Sequence, residues 1–291
     1  MKILPVKIRN ILEQILTSEL KRSVEEINIR VGKPVIIRIG NTKGRREIVA
    51  EYIISNEDMR ETLGYISNFS MYAYEEEVKE GFLTIKGGHR IGISGRTVMA
   101  DGEIKTIKNI TSLNIRIARQ IKGCADNVMD IILSDGFENT LIISPPCMGK
   151  TTLLREMVRI LSDKYHYKIG VVDERGEIAA CYMGIAQNDI GQRCDVMDGC
   201  RKDKGVMMLI RSMSPDIIAV DELGSEKDIE TLHLAGSYGG KILATIHGKD
   251  ISSVTNKRFM SDMMDECFFK NYIVINEDRT MKIYDENGIA R

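Results

Sequence analysis

Asn139–Met157 reads NTLIISPPCMGKTTLLREM, and this stretch decides the fold of the second half of the chain. An apolar, β-branched run at 140–143 leads into a turn at 144–149, after which Lys150 opens an amphipathic helix. This order is the layout of the phosphate-binding loop G-x-x-x-x-G-K-S/T, except that Ser144 stands where the first glycine is expected. The stretch therefore predicts a nucleotide-binding loop between a strand and a helix.

The predicted loop has the chemistry that a phosphate group requires. Backbone N–H groups from Cys147 to Thr152 can point at one anion, and the positive end of the following helix strengthens the attraction. We expect the Lys150 ammonium to reach the β- and γ-phosphates and the Thr151 hydroxyl to bind Mg²⁺. The predicted nucleotide contacts are Ser144, Pro145, Pro146, Cys147, Met148, Gly149, Lys150, Thr151 and Thr152. The structural alternative is a proline-containing loop that only caps a helix.

Composition limits the class of protein. The 291 residues carry a net charge of −1 without a long run of one sign, so nothing requires nucleic acid or an anionic membrane as a partner. The six cysteines form no C-x-x-C pair and no apolar signal begins the sequence, which favours a reduced, cytoplasmic protein. No apolar run approaches the ~20 residues that a membrane-spanning helix needs.

Residues 1–123 are expected to form an α+β domain. Ser55, followed three residues later by Asp58, has the pattern of a helix cap. The predicted elements are a helix at 6–20, a hairpin at 26–31 and 34–40, helices at 55–69 and 74–78, a second hairpin at 82–85 and 90–98, and a strand at 112–117.

Residues 124–291 instead alternate strands with helices, which is typical of a parallel sheet covered by helices. Residues 181–199 show no clear periodicity. The predicted elements are strands at 140–143, 168–172, 216–220 and 241–246, helices at 125–134, 150–163, 202–213, 225–237 and 251–264, and a closing hairpin at 267–275 and 280–284. The predicted fold class is α/β, with a smaller α+β domain in front.

Polar residues follow each of the four predicted parallel strands. The strands end at the phosphate loop, at Asp173-Glu174, at Asp221-Glu222 and at His247. Because ligands bind outside the carboxyl ends of such strands, we expect these residues to converge on one crevice.

The run Ile217–Glu222 has the form of a Walker B strand. Asp221 can hold Mg²⁺, directly or through water, and Glu222 can orient and deprotonate the attacking water. The alternative is a strand that leaves the core at an acidic turn.

The acidic residues after the second parallel strand and the histidine after the fourth each allow two interpretations. Asp173, Glu174 and Glu177 either contribute to the shell of metal and water or cap the next helix. His247 is either a γ-phosphate sensor or a satisfied core residue. The candidate catalytic residues are Lys150, Glu174, Glu222 and His247.

An arginine from another domain or subunit can stabilise the charge that develops on the γ-phosphate during hydrolysis. Each candidate can equally be a surface or structural arginine. The candidates are Arg116, Arg119, Arg193, Arg201 and Arg211.

With these motifs assembled, the second half resembles the type II/IV secretion and pilus-retraction ATPases. Ser144–Thr152 corresponds to Walker A, Val171–Glu177 to the Asp box, Pro215–Glu222 to Walker B, and Thr245–Gly248 to the His box. The whole chain resembles more closely the family of stage III sporulation protein AA of endospore formers. The strings Tyr72–Glu77 and Gly87–Ile93 are the more specific match to that family.

The resemblance implies a RecA-like P-loop NTPase core that uses ATP and Mg²⁺. It also implies a homo-oligomer, a hexameric ring, that is cytoplasmic and peripheral at the inner face of the membrane. Its partner would be the membrane-embedded channel complex between mother cell and forespore. In relatives, N-terminal arginines reach the nucleotide, which singles out Arg90, Arg116 and Arg119.

The sequence departs from the secretion ATPases before Glu222, where Asp221 replaces a usual glycine. Whether Asp221 or Glu222 contacts the metal is therefore open, and the candidate metal ligands are Thr151, Asp221 and Glu222. Two alternatives to a secretion-type motor remain: a nucleotide-dependent nucleic-acid binder, and a scaffold switched by nucleotide without useful turnover. Balanced charge and the lack of a basic, aromatic-rich stretch disfavour the nucleic-acid binder.

Overall fold

A computed structural model describes residues 3–41, 44–67, 70, 74–134 and 136–291. The chain divides into two units, Met1–Arg119 and Gln120–Arg291, each built around its own sheet. Within the described ranges, no helix is both long and apolar enough to cross a lipid bilayer. A domain boundary at residue 123 remains a prediction from sequence.

The N-terminal unit is an antiparallel sheet with short helices. Its six strands lie in the order β3-β2-β1-β6-β5-β4. The elements are α1 (Val6–Ile15), α2 (Ser18–Ser23), β1 (Val24–Arg30), β2 (Pro34–Asn41), β3 (Gly44–Ile53), α3 (Asn56–Ile66), α4 (Glu75–Lys79), β4 (Phe82–Ile85), β5 (His89–Ala100) and β6 (Glu103–Arg116). Both predicted hairpins, β1–β2 and β4–β5, are confirmed.

Two predictions for this unit need correction. The helix expected at 6–20 is interrupted, because Leu16 is extended and the Thr17 side chain caps a new helix by accepting the N–H of Leu20. The pattern also does not predict β3, which pairs with β2. Phe69, the expected end of α3, and Tyr72-Ala73 lie outside the described residues.

Asp58 organises the start of α3. The Ser55 hydroxyl accepts the N–H of Asp58, and the Asp58 carboxylate accepts the N–H of Ser55, so the predicted cap is confirmed. The same carboxylate accepts hydrogen bonds from Lys7 and Tyr52, both at 2.7 Å. Burial favours the neutral form of this carboxyl, but the hydrogen bonds from Lys7, Tyr52 and Ser55 outweigh it and hold the pKa well below its usual range.

The C-terminal unit is a seven-stranded sheet in the order β13-β12-β7-β11-β10-β8-β9. All neighbours pair in parallel except β13, which is antiparallel to β12 at one edge. The elements are α5 (Asp126–Ile132), β7 (Thr140–Ser144), α6 (Lys150–Asp163), β8 (Ile169–Asp173), β9 (Cys194–Asp198), α7 (Lys202–Met213), β10 (Ile217–Val220), α8 (Glu226–Ser237), β11 (Lys241–His247), α9 (Ile251–Thr255), α10 (Ser261–Asp265), β12 (Asn271–Ile275) and β13 (Met281–Asp285).

Both faces of this sheet are covered, as the continuous apolar strands predict. Ile142 of β7 packs into one core cluster with Leu153 and Met157 of α6. Its neighbours Leu141 and Ile143 point to the opposite cluster. The sheet is therefore a rigid central layer whose carboxyl edge carries the loops.

Two features of this unit differ from the sequence-based expectation. Residues 181–199, for which the sequence pattern predicts no element, contain β9, an edge strand that pairs through its backbone with β8 and needs no apolar periodicity. The helix expected at 251–264 is broken, because the backbone at Lys257 is extended (φ −79°, ψ 117°), and a 3₁₀ turn, Arg258–Met260, precedes α10.

Asp173, the last residue of β8, stabilises the segment that follows. Its buried carboxylate accepts N–H groups from Glu177, Ile178, Ala179 and Ala180 at 2.8 to 3.3 Å. No helix begins there, so this carboxylate holds an irregular turn rather than capping a helix.

Replacement of Asp58 by Asn should destabilise the protein in a pH-dependent way. At pH 7 we expect a loss of about 2 kcal/mol in the free energy of unfolding, because hydrogen bonds to a charged acceptor are lost. The folded-state pKa is depressed, so the stabilisation is present above the unfolded-state pKa of about 3.9 and disappears as the pH falls through the folded-state pKa. Urea unfolding of both proteins at pH 7, 5 and 3.5 measures this.

Glu57→Gln is the matched control, since Glu57 is exposed in the same helical turn. A difference between wild type and Asp58→Asn that stayed constant down to pH 3.5 would contradict the assigned origin of the stabilisation.

Candidate functional site

The predicted phosphate loop lies between β7 and α6, at the carboxyl edge of the parallel sheet. Gly149 adopts the left-handed conformation (φ 104°) immediately before α6, which glycine does without strain. Cys147 is also left-handed, with φ 64°. The N–H groups of the first turn of α6 have no acceptors within the helix, so this end of the helix is suited to an anion.

Ser144 replaces the expected glycine at a position where the backbone does not need one. It is the fully buried last residue of β7 and has strand conformation. Its hydroxyl donates to the Pro145 carbonyl at 2.8 Å, and its own carbonyl accepts the N–H of Gly248 at 3.2 Å. The substitution therefore preserves the geometry of the strand that leads into the loop.

Lys150 is a buried cation without a matched partner. Its side chain is 7% exposed, and Nζ makes no hydrogen bond to any atom of the described residues. The nearest carboxylate oxygen, Asp221 Oδ1, lies 3.8 Å away. Burial lowers the pKa of Lys150, and the charges of Asp221, Glu222 and Glu177 oppose this shift. A buried ammonium that lacks acceptors is costly, so the site is suited to an anionic ligand.

Thr151 and Asp221 meet across the sheet edge. The Thr151 hydroxyl donates to Asp221 Oδ2 at 2.8 Å. Thr245, buried on β11 between β7 and β10, donates its hydroxyl to the other Asp221 oxygen and accepts the N–H of Glu222 at 2.8 Å. One hydroxyl on the middle strand thus positions both acidic residues that follow β10.

Thr151 and Asp221 suit Mg²⁺, which keeps water and phosphate ligands, better than a metal ion that protein side chains coordinate completely. Across the described part of the chain, no group of three His, Cys, Asp or Glu residues could hold a metal ion. Thr151 and Asp221 together offer one hydroxyl and one carboxylate. Mg²⁺ typically binds to one or two such groups and completes its shell with water and phosphate oxygens.

Glu222 lies between a cation and a histidine. Its backbone is left-handed (φ 52°), its Oε2 accepts a hydrogen bond from Arg175 Nη1 at 2.8 Å, and its Oε1 lies 3.6 Å from His247 Nε2. The other ring nitrogen of His247 lies 3.4 Å from the Ser144 carbonyl. His247 therefore connects the start of the phosphate loop with the carboxylate after β10.

Glu174 lies beside the cluster of Glu222, Arg175 and His247, but its ion pair is with a different residue. Its carboxylate pairs with Lys202 Nζ at 2.5 Å. Glu174, Arg175 and Glu222 line one cavity of about 340 Å³. Asp173, in contrast, is engaged by backbone N–H groups as described above.

The candidate arginines are dispersed. Arg116 ends β6 and Arg119 donates to the Val24 carbonyl, both within the N-terminal unit. In the C-terminal unit, Arg193 donates to the Ser162 carbonyl and Arg201 pairs with Asp203, while Arg211 lies in the last turn of α7. A role for any of them at the nucleotide remains a prediction.

Sequence reasoning gave no role to three residues of the site: Thr245 and Arg175, which lie inside two of the motifs, and Lys257, which lies outside them. A polar residue inside the apolar strand KILATI was a usable signal for Thr245. Arg175 stands within the acidic string after β8, where its partner cannot be read from the sequence. Lys257 donates to the His247 carbonyl at 2.5 Å from a segment expected to be helical.

The comparisons with solved structures concern the fold. The ATPase DotB of Legionella pneumophila is similar with a TM-score of 0.60 at 16% identity, covering 97% of this chain and 81% of that one. The pilus retraction motor PilT, solved with bound ADP, is similar with a TM-score of 0.60 at 15% identity, covering 94% and 81%. The predicted fold class, a P-loop core with a parallel sheet, is confirmed.

The comparisons by sequence concern the family. The family model described as sporulation stage III, protein AA, matches residues 1–290. Stage III sporulation protein AA of Bacillus subtilis (strain 168) is 39% identical over an alignment of 296 residues, which covers 99% of this chain and 94% of that protein. The chain therefore belongs to the family of stage III sporulation protein AA.

Proposed function

We propose that this protein is a Mg²⁺-dependent ATPase that binds ATP at Ser144–Thr152. The observation that carries the proposal is the buried Lys150 ammonium, which has no hydrogen-bond acceptor among the described residues and faces Asp221 at 3.8 Å. The β- and γ-phosphates of a nucleotide would supply the missing acceptors. The likeness to P-loop ATPases of known structure supports the same reading.

In this proposal each residue has one task. The first turn of α6 and Lys150 bind the phosphates, and Thr151 with Asp221 holds Mg²⁺. A bound Mg²⁺ would neutralise charge on the phosphate oxygens. Asp221 is the preferred metal ligand over Glu222, because it already contacts the Thr151 hydroxyl.

Glu222 is the proposed general base. Its Oε2 is paired with Arg175, so Oε1, which lies 3.6 Å from His247 Nε2, is the oxygen that would accept a proton from the attacking water. His247, between Glu222 and the Ser144 carbonyl, is the proposed sensor that reports γ-phosphate to β11. Glu174 would act from the neighbouring cavity, through its ion pair with Lys202.

We further propose that the protein works as a homohexameric ring in the cytoplasm, at the inner face of the membrane. There it would power the channel complex between mother cell and forespore. Membership of a sporulation family and the secretion-ATPase fold support this role. Arg116 or Arg119 would reach a nucleotide in the assembled ring, and nucleic acid is not the expected partner.

Steady-state ATP hydrolysis across a protein concentration series tests the ring enzyme. Turnover per subunit should rise steeply with concentration in the wild type, because sites completed by a neighbour form only on assembly. Lys150→Ala should abolish it, while the melting temperature without nucleotide should stay equal or rise, since the change removes a buried ammonium whose cost of burial outweighs its long contact with Asp221.

Lys164→Ala is the matched control, because Lys164 is exposed at the end of the same helix. Nucleotide binding without turnover at any concentration would favour the switched scaffold. A salt-dependent shift with single-stranded DNA or RNA would favour the nucleic-acid binder.

Glu222→Gln should lower the turnover number by about 10²- to 10⁴-fold, the usual contribution of a general base. Nucleotide affinity should change little, because Lys150 and Thr151 are untouched. Glu226→Gln, an exposed acid four residues further on, should behave as wild type. Full turnover in Glu222→Gln would rule out its role as base.

Thr245→Val should raise the Mg²⁺ concentration needed for half-maximal turnover by about 10- to 100-fold, as is typical when a group that orients a metal ligand is lost. The change removes both the hydrogen bond to Asp221 and the acceptor for Glu222 N–H at nearly constant volume. Thr245→Ser keeps the hydroxyl and should retain most activity. Equal Mg²⁺ dependence in Val and Ser variants would contradict the positioning role.

A further inference from the structure

The break between α9 and α10 brings a second lysine to the end of β11. Asp250 caps α9, and the chain leaves the helical path at Lys257. Lys257 Nζ then donates to the carbonyl of His247 at 2.5 Å. An uninterrupted helix, as the sequence pattern predicts, would lack the extended backbone at this residue.

The packing at Gly248 fixes the position of this segment. A side chain at Gly248 would come within 3 Å of Val254 and Ser253, so α9 lies directly against the end of β11. The Gly248 N–H also donates to the Ser144 carbonyl at 3.2 Å. Lys257 is thus anchored close to the strand that enters the phosphate loop.

No carboxylate of the described residues neutralises the charge of Lys257, whose Nζ lies 5.9 Å from the centre of the Phe259 ring. In the regions that the structure describes, its Nζ hydrogen-bonds a neutral carbonyl and forms no ion pair with a carboxylate. Burial lowers the pKa of Lys257, and the positive charge of Lys150 lowers it further. The two ammonium groups therefore repel each other, and an anion between them would relieve this repulsion.

We propose that Lys257 is a second phosphate-binding cation and contacts the terminal phosphate of a bound nucleoside triphosphate. This inference rests on the proposed function and extends it to a residue outside the four motifs. The terminal phosphate is the expected contact because Lys257 is held by His247, which also lies 3.6 Å from Glu222, the proposed base. Lys150 would contact the β- and γ-phosphates from the side of the P-loop, and Lys257 would contact the γ-phosphate from the side of β11.

A purely structural role makes a different prediction. If Lys257 only caps the His247 carbonyl, its loss lowers the stability of the protein without nucleotide and affects ATP and ADP alike. If it binds the terminal phosphate, its loss weakens triphosphate binding selectively. In that case the positive charge at residue 257, rather than its hydrogen bond to the His247 carbonyl, determines the affinity for the triphosphate.

Calorimetric titration with Mg-ATPγS and with Mg-ADP separates the two roles. The proteins compared are wild type, Lys257→Met, Lys257→Arg and the control Lys249→Met, an exposed lysine of the same connection. Lys257→Met should bind ATPγS about 10- to 100-fold more weakly, the loss expected for a charge-assisted hydrogen bond, and ADP nearly as wild type. Lys257→Arg should retain most of the affinity, and Lys249→Met all of it.

The dependence on salt gives a second readout. The affinity of the wild type for ATPγS should fall more steeply with ionic strength than that of Lys257→Met, because the wild type makes one more charge contact that salt can screen. Thermal unfolding without nucleotide should give similar melting temperatures for both proteins.

Unchanged ATPγS affinity in Lys257→Met, or an equal loss for ATPγS and ADP, would overturn the assignment while leaving the proposed function in place. Absence of nucleotide binding by the wild-type protein would instead overturn the proposed function, and the assignment with it.

Discussion

Parallel pairing of β7, β11 and β10 is the constraint on which the candidate site depends. Because parallel strands end at the same edge, the phosphate loop, His247 and Asp221-Glu222 must emerge side by side. β11 lies in the middle and contacts both neighbours. Thr245 positions the acids after β10, and the residues that end β11 lie against the Ser144 carbonyl.

Asp173 and Asp221, the acidic residues at the carboxyl ends of the neighbouring strands β8 and β10, accept hydrogen bonds from different kinds of donor. The Asp173 oxygens are occupied by four backbone N–H groups, which hold a turn in place and leave little capacity for a metal. Asp221 accepts hydrogen bonds from side-chain hydroxyls instead. Such contacts can be exchanged for an ion, whereas loss of the contacts to Asp173 would unfold the turn.

The positive side chains around the phosphate loop suit a ligand that carries several negative charges. Among the described residues, Lys150 has no hydrogen-bond acceptor and Lys257 has a carbonyl acceptor and the Phe259 ring, while Arg175 is paired with the proposed base. The two lysines therefore leave positive charge incompletely matched near the loop. A bound triphosphate would supply acceptors to both lysines.

The sequence alone determined the strand–loop–helix order around Lys150 and the four polar strand ends, because local apolar periodicity and glycine placement decide such elements. The cap formed by Ser55 and Asp58 could be read in the same way. Long-range contacts decided the rest. β9 exists because β8 offers a backbone edge, and Thr245 and Arg175 acquire their partners only when β8, β10 and β11 lie side by side. Lys257 reaches the His247 carbonyl from the point where the helix at 251–264 is broken. No local pattern encodes those partners, since they lie 10 to 47 residues away in the chain.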